Sequence, residues 1–380
     1  MKIVYCINSI RYLGGIQRAT ITKANALASI QGNEVYVVVT DNKDGILLQP
    51  LSENVHLIDL DINYYDGSRR RSKISNMIVA LQKRRKHRTL LNEFLTGLNP
   101  DVVISVGTSE KYMLLTMNNR TWKLIREFHF DRNYRKRLAK TRFDKFIARF
   151  VDFYDFNFKE KKYDRIVVLS HEDKDTNWKG WNNVSVIHDP VPFHCKLNSG
   201  LDKKVITTLG RLEHEKNYSS LIRVFKIIAE KFPDWVLKIY GDGDERLKLQ
   251  DIINEEGVTG RVLLMGTTMD AQLALRESSI FVLSSITEGF GMVLVEAMEC
   301  GLPVVAYQCP CGPKDIISEG VDGFLVPLND EKVMANRICQ LIENEELRRK
   351  MGGEAKKKAM MYHIDIITNQ WMNLFKAMLN

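Results

Sequence analysis

The chain has 380 residues, of which 44% are hydrophobic and 27% charged, with only 9 prolines, and this composition excludes a disordered or fibrous protein. At roughly 100–200 residues per domain, the length favours two globular domains. The formal net charge of +8 is uneven, because residues 1–200 carry 33 basic and 21 acidic side chains (+12) whereas the remainder carries 22 and 26 (−4). A basic half is suited to nucleic acid, an anionic membrane surface or a phosphate-bearing substrate.

The N-terminus, Met1 to Asn8, is a short β-like run without the length or the cleavage site of a signal peptide. No stretch approaches the ~20 apolar residues of a membrane span. The six cysteines lack C-x-x-C pairing, which indicates reduced thiols rather than a zinc site or a disulfide framework. We therefore expect a cytoplasmic protein.

Residues 2–8 predict a strand, which is followed by Gly14-Gly15 and a helical pattern of small and apolar residues. Gly32-Asn33 ends that pattern, and Val35 to Val39 is a continuous apolar strand. Strand, glycine loop, helix and strand make a βαβ unit, which predicts a parallel sheet. Further strands are predicted at Val55–Leu60, Val102–Val106, Lys123–Ile125, Arg165–Leu169 and Val184–Ile187.

A second series with the same order of elements begins near residue 204. Its predicted strands are Val205–Leu209, Trp235–Tyr240, Arg261–Met265, Ile280–Leu283 and Pro303–Ala306, and its predicted helices are Tyr218–Lys231 and Met292–Cys300. Prolines and small polar residues between Asp189 and Gly200 have the composition of a linker. The sequence therefore predicts an α/β fold with two Rossmann-like parallel-sheet domains, at 1–195 and 196–362, and an amphipathic C-terminal helix at 363–380.

Two stretches, at 64–88 and 132–150, combine runs of Lys and Arg with apolar residues at helical spacing. The first includes Arg69-Arg70-Arg71, and the second includes Phe143, Phe146 and Phe150. Each is either an ordinary surface helix with solvated charges or a basic amphipathic helix that contacts an anionic membrane. No nucleic-acid recognition motif accompanies them, so nucleic-acid binding is the weakest of the three readings.

The segment Thr287 to Met298 follows a predicted strand and opens a helix. Glycines at such a junction leave backbone N–H groups free to face an anion, and the helix N-terminus adds partial positive charge. Glu288 before the helix and Glu296 within it are placed to bind sugar hydroxyls at two depths. The plainer alternatives are a helix N-terminal acid for Glu288 and a solvated residue for Glu296.

Gly210 to Asn217 likewise joins a predicted strand to a helix. Arg211 offers a bidentate fork and Lys216 a point charge, and together these groups suit a diphosphate. In an open α/β sheet, ligands bind at such strand-to-helix turns. A lone loop arginine is otherwise a surface residue, so the case rests on its position.

These motifs resemble those of the retaining glycosyltransferases of family 4, which have the GT-B fold. Glu288 and Glu296 match the E-x7-E motif of that family, and Gly210, Arg211 and Lys216 match its G-R-x4-K pattern. The resemblance covers nearly all of 204–330, and in the first half it rests on Gly14-Gly15 and the segment Arg126 to His129. It implies two domains that face each other across a cleft, with the C-terminal helix crossing back to the first domain, in an enzyme of bacterial surface-polysaccharide synthesis.

The resemblance also assigns roles, with the nucleotide sugar in the second domain and the acceptor in the first. Arg211 and Lys216 would neutralise the leaving diphosphate, Glu288 and His129 would contact the donor sugar, and Glu296 would bind the ribose. The residues implied for donor binding are Gly15, Gly210, Gly289, Phe290, Gly291, Met292 and Glu296. Phe128 separates Glu127 from His129, whereas the histidine of the family often follows the glutamate directly, so a structural loop histidine is the alternative.

The leaving phosphate itself would accept the proton of the attacking hydroxyl, so no protein nucleophile and no cofactor are expected. Asp242-Gly243-Asp244 resembles a metal-binding D-x-D. Cationic side chains already cover the diphosphate, and we therefore expect no metal.

The segment Cys309 to Asp315 resembles members that use UDP-hexoses or UDP-N-acetylhexosamines, with GDP-mannose as the alternative donor. The expected acceptor is a glycan, free or linked to a lipid diphosphate, of capsule, lipopolysaccharide or exopolysaccharide. A sugar-nucleotide epimerase would share the architecture. A non-enzymatic basic membrane-binding scaffold leaves Glu288, Glu296, Arg211 and Lys216 unexplained, and an NAD-dependent dehydrogenase would need the full G-x-G-x-x-G fingerprint.

Overall fold

The structure is a computed structural model that describes residues 1–11, 14–42, 49–64, 73–117, 120–139 and 141–380. The chain divides into two compact units. The first unit comprises Met1–Val168, Trp178–Pro190 and Ile364–Asn380, and the second comprises Leu169–Asn177 and Val191–His363. The segment 169–177, which lies inside the predicted range 1–195, thus groups with the second unit, and the C-terminal segment groups with the first.

A parallel sheet forms the centre of the first unit. In the described residues its strand order is β3-β2-β1-β4-β5-β6-β7. The strands are β1 (Lys2–Ile7), β2 (Glu34–Val39), β3 (Val55–Asp59), β4 (Val102–Ser105), β5 (Lys123–Phe128), β6 (Arg165–Val168) and β7 (Val184–Val186). The inner strands β4 and β6 are largely apolar and buried, because helices cover both faces of a parallel sheet.

The helices of the first unit connect these strands. They are α1 (Gly15–Ala28), α2 (Lys73–Leu98), α3 (Lys111–Leu114), α4 (Tyr134–Leu138) and α5 (Arg142–Tyr154), with a π turn at Asp155–Lys159 and a 3₁₀ turn at Glu160–Lys162. The predicted stretch 132–150 is not one helix, because Ala139 is extended and Thr141 caps a new helix with Asp144 in a reciprocal capping box. Of the predicted stretch 64–88, residues 65–72, including Arg69-Arg70-Arg71, lie outside the described part.

The second unit has the same plan. Its parallel strands follow the order β10-β9-β8-β11-β12-β13 among the described residues. They are β8 (Val205–Leu209), β9 (Val236–Tyr240), β10 (Val262–Gly266), β11 (Ile280–Leu283), β12 (Val304–Tyr307) and β13 (Gly323–Val326). The helices are α6 (His171–Asn177), α7 (Tyr218–Lys231), α8 (Arg246–Glu255), α9 (Ala271–Arg276), α10 (Met292–Glu299), α11 (Pro313–Ile316), α12 (Glu331–Glu343) and α13 (Glu345–Ala359).

The C-terminal helix α14 (Ile364–Leu379) packs on α1 of the first unit. Its fully buried Trp371 and Phe375 join the core that covers one face of the first sheet. All six cysteines are buried free thiols. Within the described part of the chain, no helix has both the length and the apolar character that a membrane crossing requires.

We predict that Phe375→Ala lowers the free energy of unfolding of the first unit by about 3–5 kcal/mol, because it empties a fully buried aromatic site. Leu379→Ala, in the same helix at a position that is 40% exposed, is the matched control and should change stability by less than about 0.5 kcal/mol. Urea unfolding measures both. An equal effect of the two changes would show that α14 does not pack on the first unit in solution.

Candidate active site

The strand order of the second sheet reverses between β8 and β11, because the chain builds β9 and β10 on one side and β12 and β13 on the other. At such a switch point the loops that follow the two central strands diverge and leave a crevice at the carboxyl ends of the strands. The loop after β8 begins at Gly210, and the loop after β11 runs from Ser284 to Gly291. These are the two segments that carry the predicted motifs.

The loop after β8 presents both predicted cations. It ends in a 3₁₀ turn at His214–Lys216, and Asn217 takes a left-handed conformation before α7 begins. Arg211 is 60% exposed, and its guanidinium pairs with Glu213 at 2.5 Å and with Glu215 at 3.6 Å. Burial raises the pKa of Glu213, as does nearby Glu215, while Arg211 opposes the rise.

The loop after β11 binds the other cation. Lys216 Nζ lies 2.7 Å from Glu288 Oε1, and the two side chains are only 18% and 10% exposed. Ser285 Oγ donates to the same carboxylate oxygen at 2.6 Å, while Ser284 Oγ donates to the Lys216 carbonyl at 2.8 Å. The two predicted motifs are therefore joined directly by an ion pair and by a hydrogen bond to the main chain.

Two glycines allow neighbouring loops to pack backbone on backbone. Gly312, with φ +105°, would place a Cβ 1.7 Å from the carbonyl oxygen of Phe290, and Gly241, with φ +141°, would place one 1.8 Å from that of Gly210. Neither position accepts a side chain without movement of the main chain. The turns after β9 and β12 thereby fix the two loops that hold the predicted donor residues.

Helix α10 begins at Met292, directly after Gly289, Phe290 and Gly291, so the positive end of its dipole lies at this loop. Phe290 is buried against Tyr362, with ring centroids 5.5 Å apart. Glu296, one turn into the helix, is only 1% exposed and is not the solvated residue of the plainer alternative.

Helix α6 supports the loop before α11, and sequence reasoning missed this contact. The main-chain N–H groups of His171 and Glu172 donate to the Asp315 carboxylate. The Glu172 carboxylate in turn accepts from Cys311 N at 3.0 Å and pairs with Lys314 at 2.9 Å. The sequence does show an acidic first turn of α6 directly after a strand, which was the available signal for a functional helix end. It could not show the partners of that turn, because they lie about 140 residues away in the chain.

The predicted His129 lies in the first unit, in a buried cluster with Lys23, Glu127 and Asp189. Its Nδ1 lies 3.2 Å from Asp189 and its Nε2 lies 3.3 Å from Glu127. The Lys23 ammonium pairs with Glu127 and lies 3.1 Å from Asp189. Because all four side chains are at least 97% buried, two cations and two anions compensate one another.

Burial lowers the pKa of His129, but the carboxylates of Asp189 and Glu127 raise it more, to about 9. Burial opposes ionisation of Asp189 as well, but Lys23 and His129 hold its pKa below the ordinary value. His129 is thus an imidazolium at neutral pH. Its contact with a donor sugar stays a prediction, as does the approach of Gly15, which lies at the start of α1, to the phosphates.

Three side chains of the second unit, His194, Glu299 and His363, have ligand atoms within 4.8 Å of one another. The Glu299 carboxylate pairs with His363 at 2.9 Å and with Lys356 at 2.7 Å. The Lys356 ammonium thus supplies the positive charge beside this carboxylate that a metal ion would supply. Asp242, in the D-x-D-like segment, is 61% exposed and lies 4.0 Å from Arg246.

Two Rossmann-like parallel-sheet units, the second with Arg211, Lys216 and Glu288 at its topological switch point, have the architecture of the GT-B fold. Residues 193–358 match the family model "Glycosyl transferases group 1". An uncharacterized glycosyltransferase of Haemophilus influenzae is 30% identical over 380 residues, which cover 98% of this chain and 99% of that protein. The chain belongs to the group 1 glycosyltransferases.

Two further similarities have a lower sequence identity. The poly(ribitol-phosphate) alpha-N-acetylglucosaminyltransferase of Staphylococcus aureus is 29% identical over 196 residues, which cover 51% of this chain and 40% of that protein. A crystal structure of Staphylococcus aureus TarM, in a complex that includes UDP, superposes with a TM-score of 0.78 at 16% identity and covers 98% of this chain and 99% of that one. At that identity, the structural likeness supports the GT-B fold alone.

We predict that His129 titrates near pH 9, so the stability that its charge contributes is fully present below pH 6.5 and is lost as the pH rises through about 9. Urea unfolding between pH 6 and pH 10, compared with His129→Gln, measures this loss. His56→Gln, which removes an exposed imidazole of the same unit, is the matched control. A wild-type profile that matches the His129→Gln profile would contradict the assignment.

Proposed function

We propose that the protein is a retaining, metal-independent glycosyltransferase of family 4 that transfers a hexose or an N-acetylhexosamine from a UDP-sugar. Its acceptor is a growing glycan, free or lipid-linked, of a bacterial surface polysaccharide. The observation that carries the proposal is the 2.7 Å ion pair of Lys216 with Glu288 across the two loops of the β8/β11 switch point.

The charge of this site supports the chemistry. Cleavage of the sugar–phosphate bond leaves negative charge on the diphosphate and positive charge on the sugar ring. Positive potential for the diphosphate comes from Lys216, Arg211 and the N-terminus of α10. Glu288 provides a carboxylate beside these groups for the positive charge on the sugar ring. Such preorganised charges act most strongly where the transition state develops charge.

Retention of configuration follows when the acceptor hydroxyl attacks from the face that the diphosphate leaves. The departing phosphate oxygen then accepts the hydroxyl proton, the new glycosidic bond forms as the sugar–phosphate bond breaks, and the nucleoside diphosphate departs. We further propose that Glu296 of the second unit is a ribose ligand and that His129 of the first unit, as a cation, contacts the donor sugar.

The comparisons support UDP and a surface polymer without fixing either. The Staphylococcus aureus structure contains UDP, and the relative from the same organism is named for α-N-acetylglucosaminyl transfer to poly(ribitol-phosphate). Both are properties of those proteins. For this chain they select the first donor and acceptor class to test.

We predict that UDP raises the melting temperature of the wild type by about 2–4 °C at roughly 100 times its Kd, because a ligand of the native state adds about 2.7 kcal/mol to its stability. GDP, ADP and CMP should give smaller shifts. Stabilisation by GDP alone would replace UDP with the GDP-mannose alternative. No shift with any of the four nucleotides at millimolar concentration would overturn the proposed nucleotide-sugar site.

We predict that Lys216→Met lowers kcat/KM by roughly 10²–10³-fold, because it removes a cation from the diphosphate. Lys204→Met is the matched control, since Lys204 lies in the same unit, is 58% exposed and pairs with surface Asp234. Radiolabel transfer from a UDP-sugar to an acceptor measures the rate, and NMR of the product gives its anomeric configuration. An inverted anomer, or a rate that EDTA abolishes, would contradict the retaining, metal-independent mechanism.

A further inference from the structure

Helix α5 directs its apolar side away from the protein. Phe143, Phe146 and Phe150 are 69%, 69% and 68% exposed, and Phe153 is 60% exposed. These residues, together with exposed Ile147, Val151 and Tyr154, follow the i, i+3, i+4, i+7 spacing of a single helix face. Phe158, just beyond the helix, is 54% exposed and contacts the rings of Phe153 and Tyr154.

The side of α5 that faces the protein is polar. Its buried residues are Ala148 and Asp152, and Asp152 pairs with Arg135 of α4 at 2.8 Å. Arg135 also pairs at 2.8 Å with Asp155, just past the helix, which Lys111 contacts at 3.2 Å. Ion pairs rather than a hydrophobic core therefore hold α5, which is the reverse of an ordinary surface helix.

Basic side chains border the apolar side. At 100° per residue, Arg142, Lys145 and Arg149 lie along one edge of it, beside Phe146 and Phe153. All three are exposed, and none has an ion pair within the described residues. The acidic residue of this exposed surface, Asp144, is bound to Thr141 in the capping box.

We propose that α5 docks on an anionic membrane, with its aromatic side in the boundary between headgroups and acyl chains and with Arg142, Lys145 and Arg149 on the lipid phosphates. Aromatic rings on one face and lysine and arginine beside them are the features of a helix that lies in the plane of such an interface. Exposed apolar side chains that adjoin one another and are bordered by polar residues mark an interaction surface. The inference is independent of the proposed donor site, so either can fail alone.

Lipid fits this face better than a second copy of the chain. A second copy would present the same basic edge, and in an antiparallel pair of α5 helices the two basic edges would lie side by side. Anionic headgroups supply the charge opposite to that edge. The apolar residues of α2 that are exposed, Met77, Ile78 and Leu81, belong to the same unit and form a smaller face without aromatic rings.

The test is flotation of the full-length protein with phosphatidylcholine vesicles, with and without phosphatidylglycerol. We expect the wild type to float with the anionic vesicles at physiological salt. Phe146→Ser with Phe150→Ser should weaken binding at least about tenfold, since two aromatic side chains no longer enter the membrane. Both positions are exposed, so the melting temperature should not change.

Leu247→Ser with Met269→Ser is the matched control, because these residues are 81% and 73% exposed in the second unit. This variant should float as the wild type does. Absence of wild-type flotation, or equal flotation of the Phe146/Phe150 variant, would overturn the proposal. So would a lipid-free dimer in sedimentation velocity that the same variant converts to monomer, because a second copy would then cover the face.

A second measurement reports insertion directly. All six native cysteines are buried, so a Phe150→Cys variant offers one exposed thiol for an environment-sensitive dye. Its emission should shift to the blue on anionic vesicles, while a dye at Leu247→Cys should not shift. Bound protein without a blue shift at position 150 would indicate adsorption through charge alone and would contradict insertion.

Discussion

The ion pair between Lys216 and Glu288 is the contact on which the candidate site depends. It joins the loops that follow β8 and β11, and the strand order reverses between those strands, so it spans the crevice where ligands of such sheets bind. A largely buried pair is costly to break by removing one partner, because the other charge remains desolvated. The pair therefore constrains the two loops, and Ser285 adds to this because its hydroxyl donates to the Glu288 oxygen that pairs with Lys216.

The same pairing limits how an anion enters. Arg211 is already balanced by Glu213 and Glu215, and Lys216 by Glu288, so the loops do not present an uncompensated basic patch. A diphosphate has to share or displace these carboxylates, whereas a group that gains positive charge is stabilised by them. The site thus holds charges of both signs side by side, and such preorganised charges act most strongly on a transition state that separates charge. That property fits transfer of a glycosyl group, in which charge separates as the bond breaks.

The sequence predicts the regular elements of the second unit closely, and the reason is physical. Val205–Leu209, Tyr218–Lys231 and Ile280–Leu283 have the predicted bounds, because buried parallel strands and long amphipathic helices give strong periodic signals. Partners distant in the chain give no such signal. Lys23 lies in α1, 104 residues from Glu127, and nothing in the spacing indicates that a lysine among apolar helix residues compensates a buried carboxylate. The support of Asp315 by α6 was missed for the same reason.

Helix α5 shows what periodicity leaves open. The spacing of Phe143, Phe146 and Phe150 identifies an amphipathic helix, but it does not say whether the apolar side faces the core or the surroundings. That choice depends on Arg135, which pairs with Asp152 and Asp155 and so draws the opposite side of the helix inward. Asp152 and Asp155 are buried and Arg135 is 22% exposed, so these ion pairs cost desolvation that an apolar contact of similar size would not. The fold keeps the aromatic side of α5 exposed at that cost. The proposed docking of this side on a membrane accounts for the arrangement.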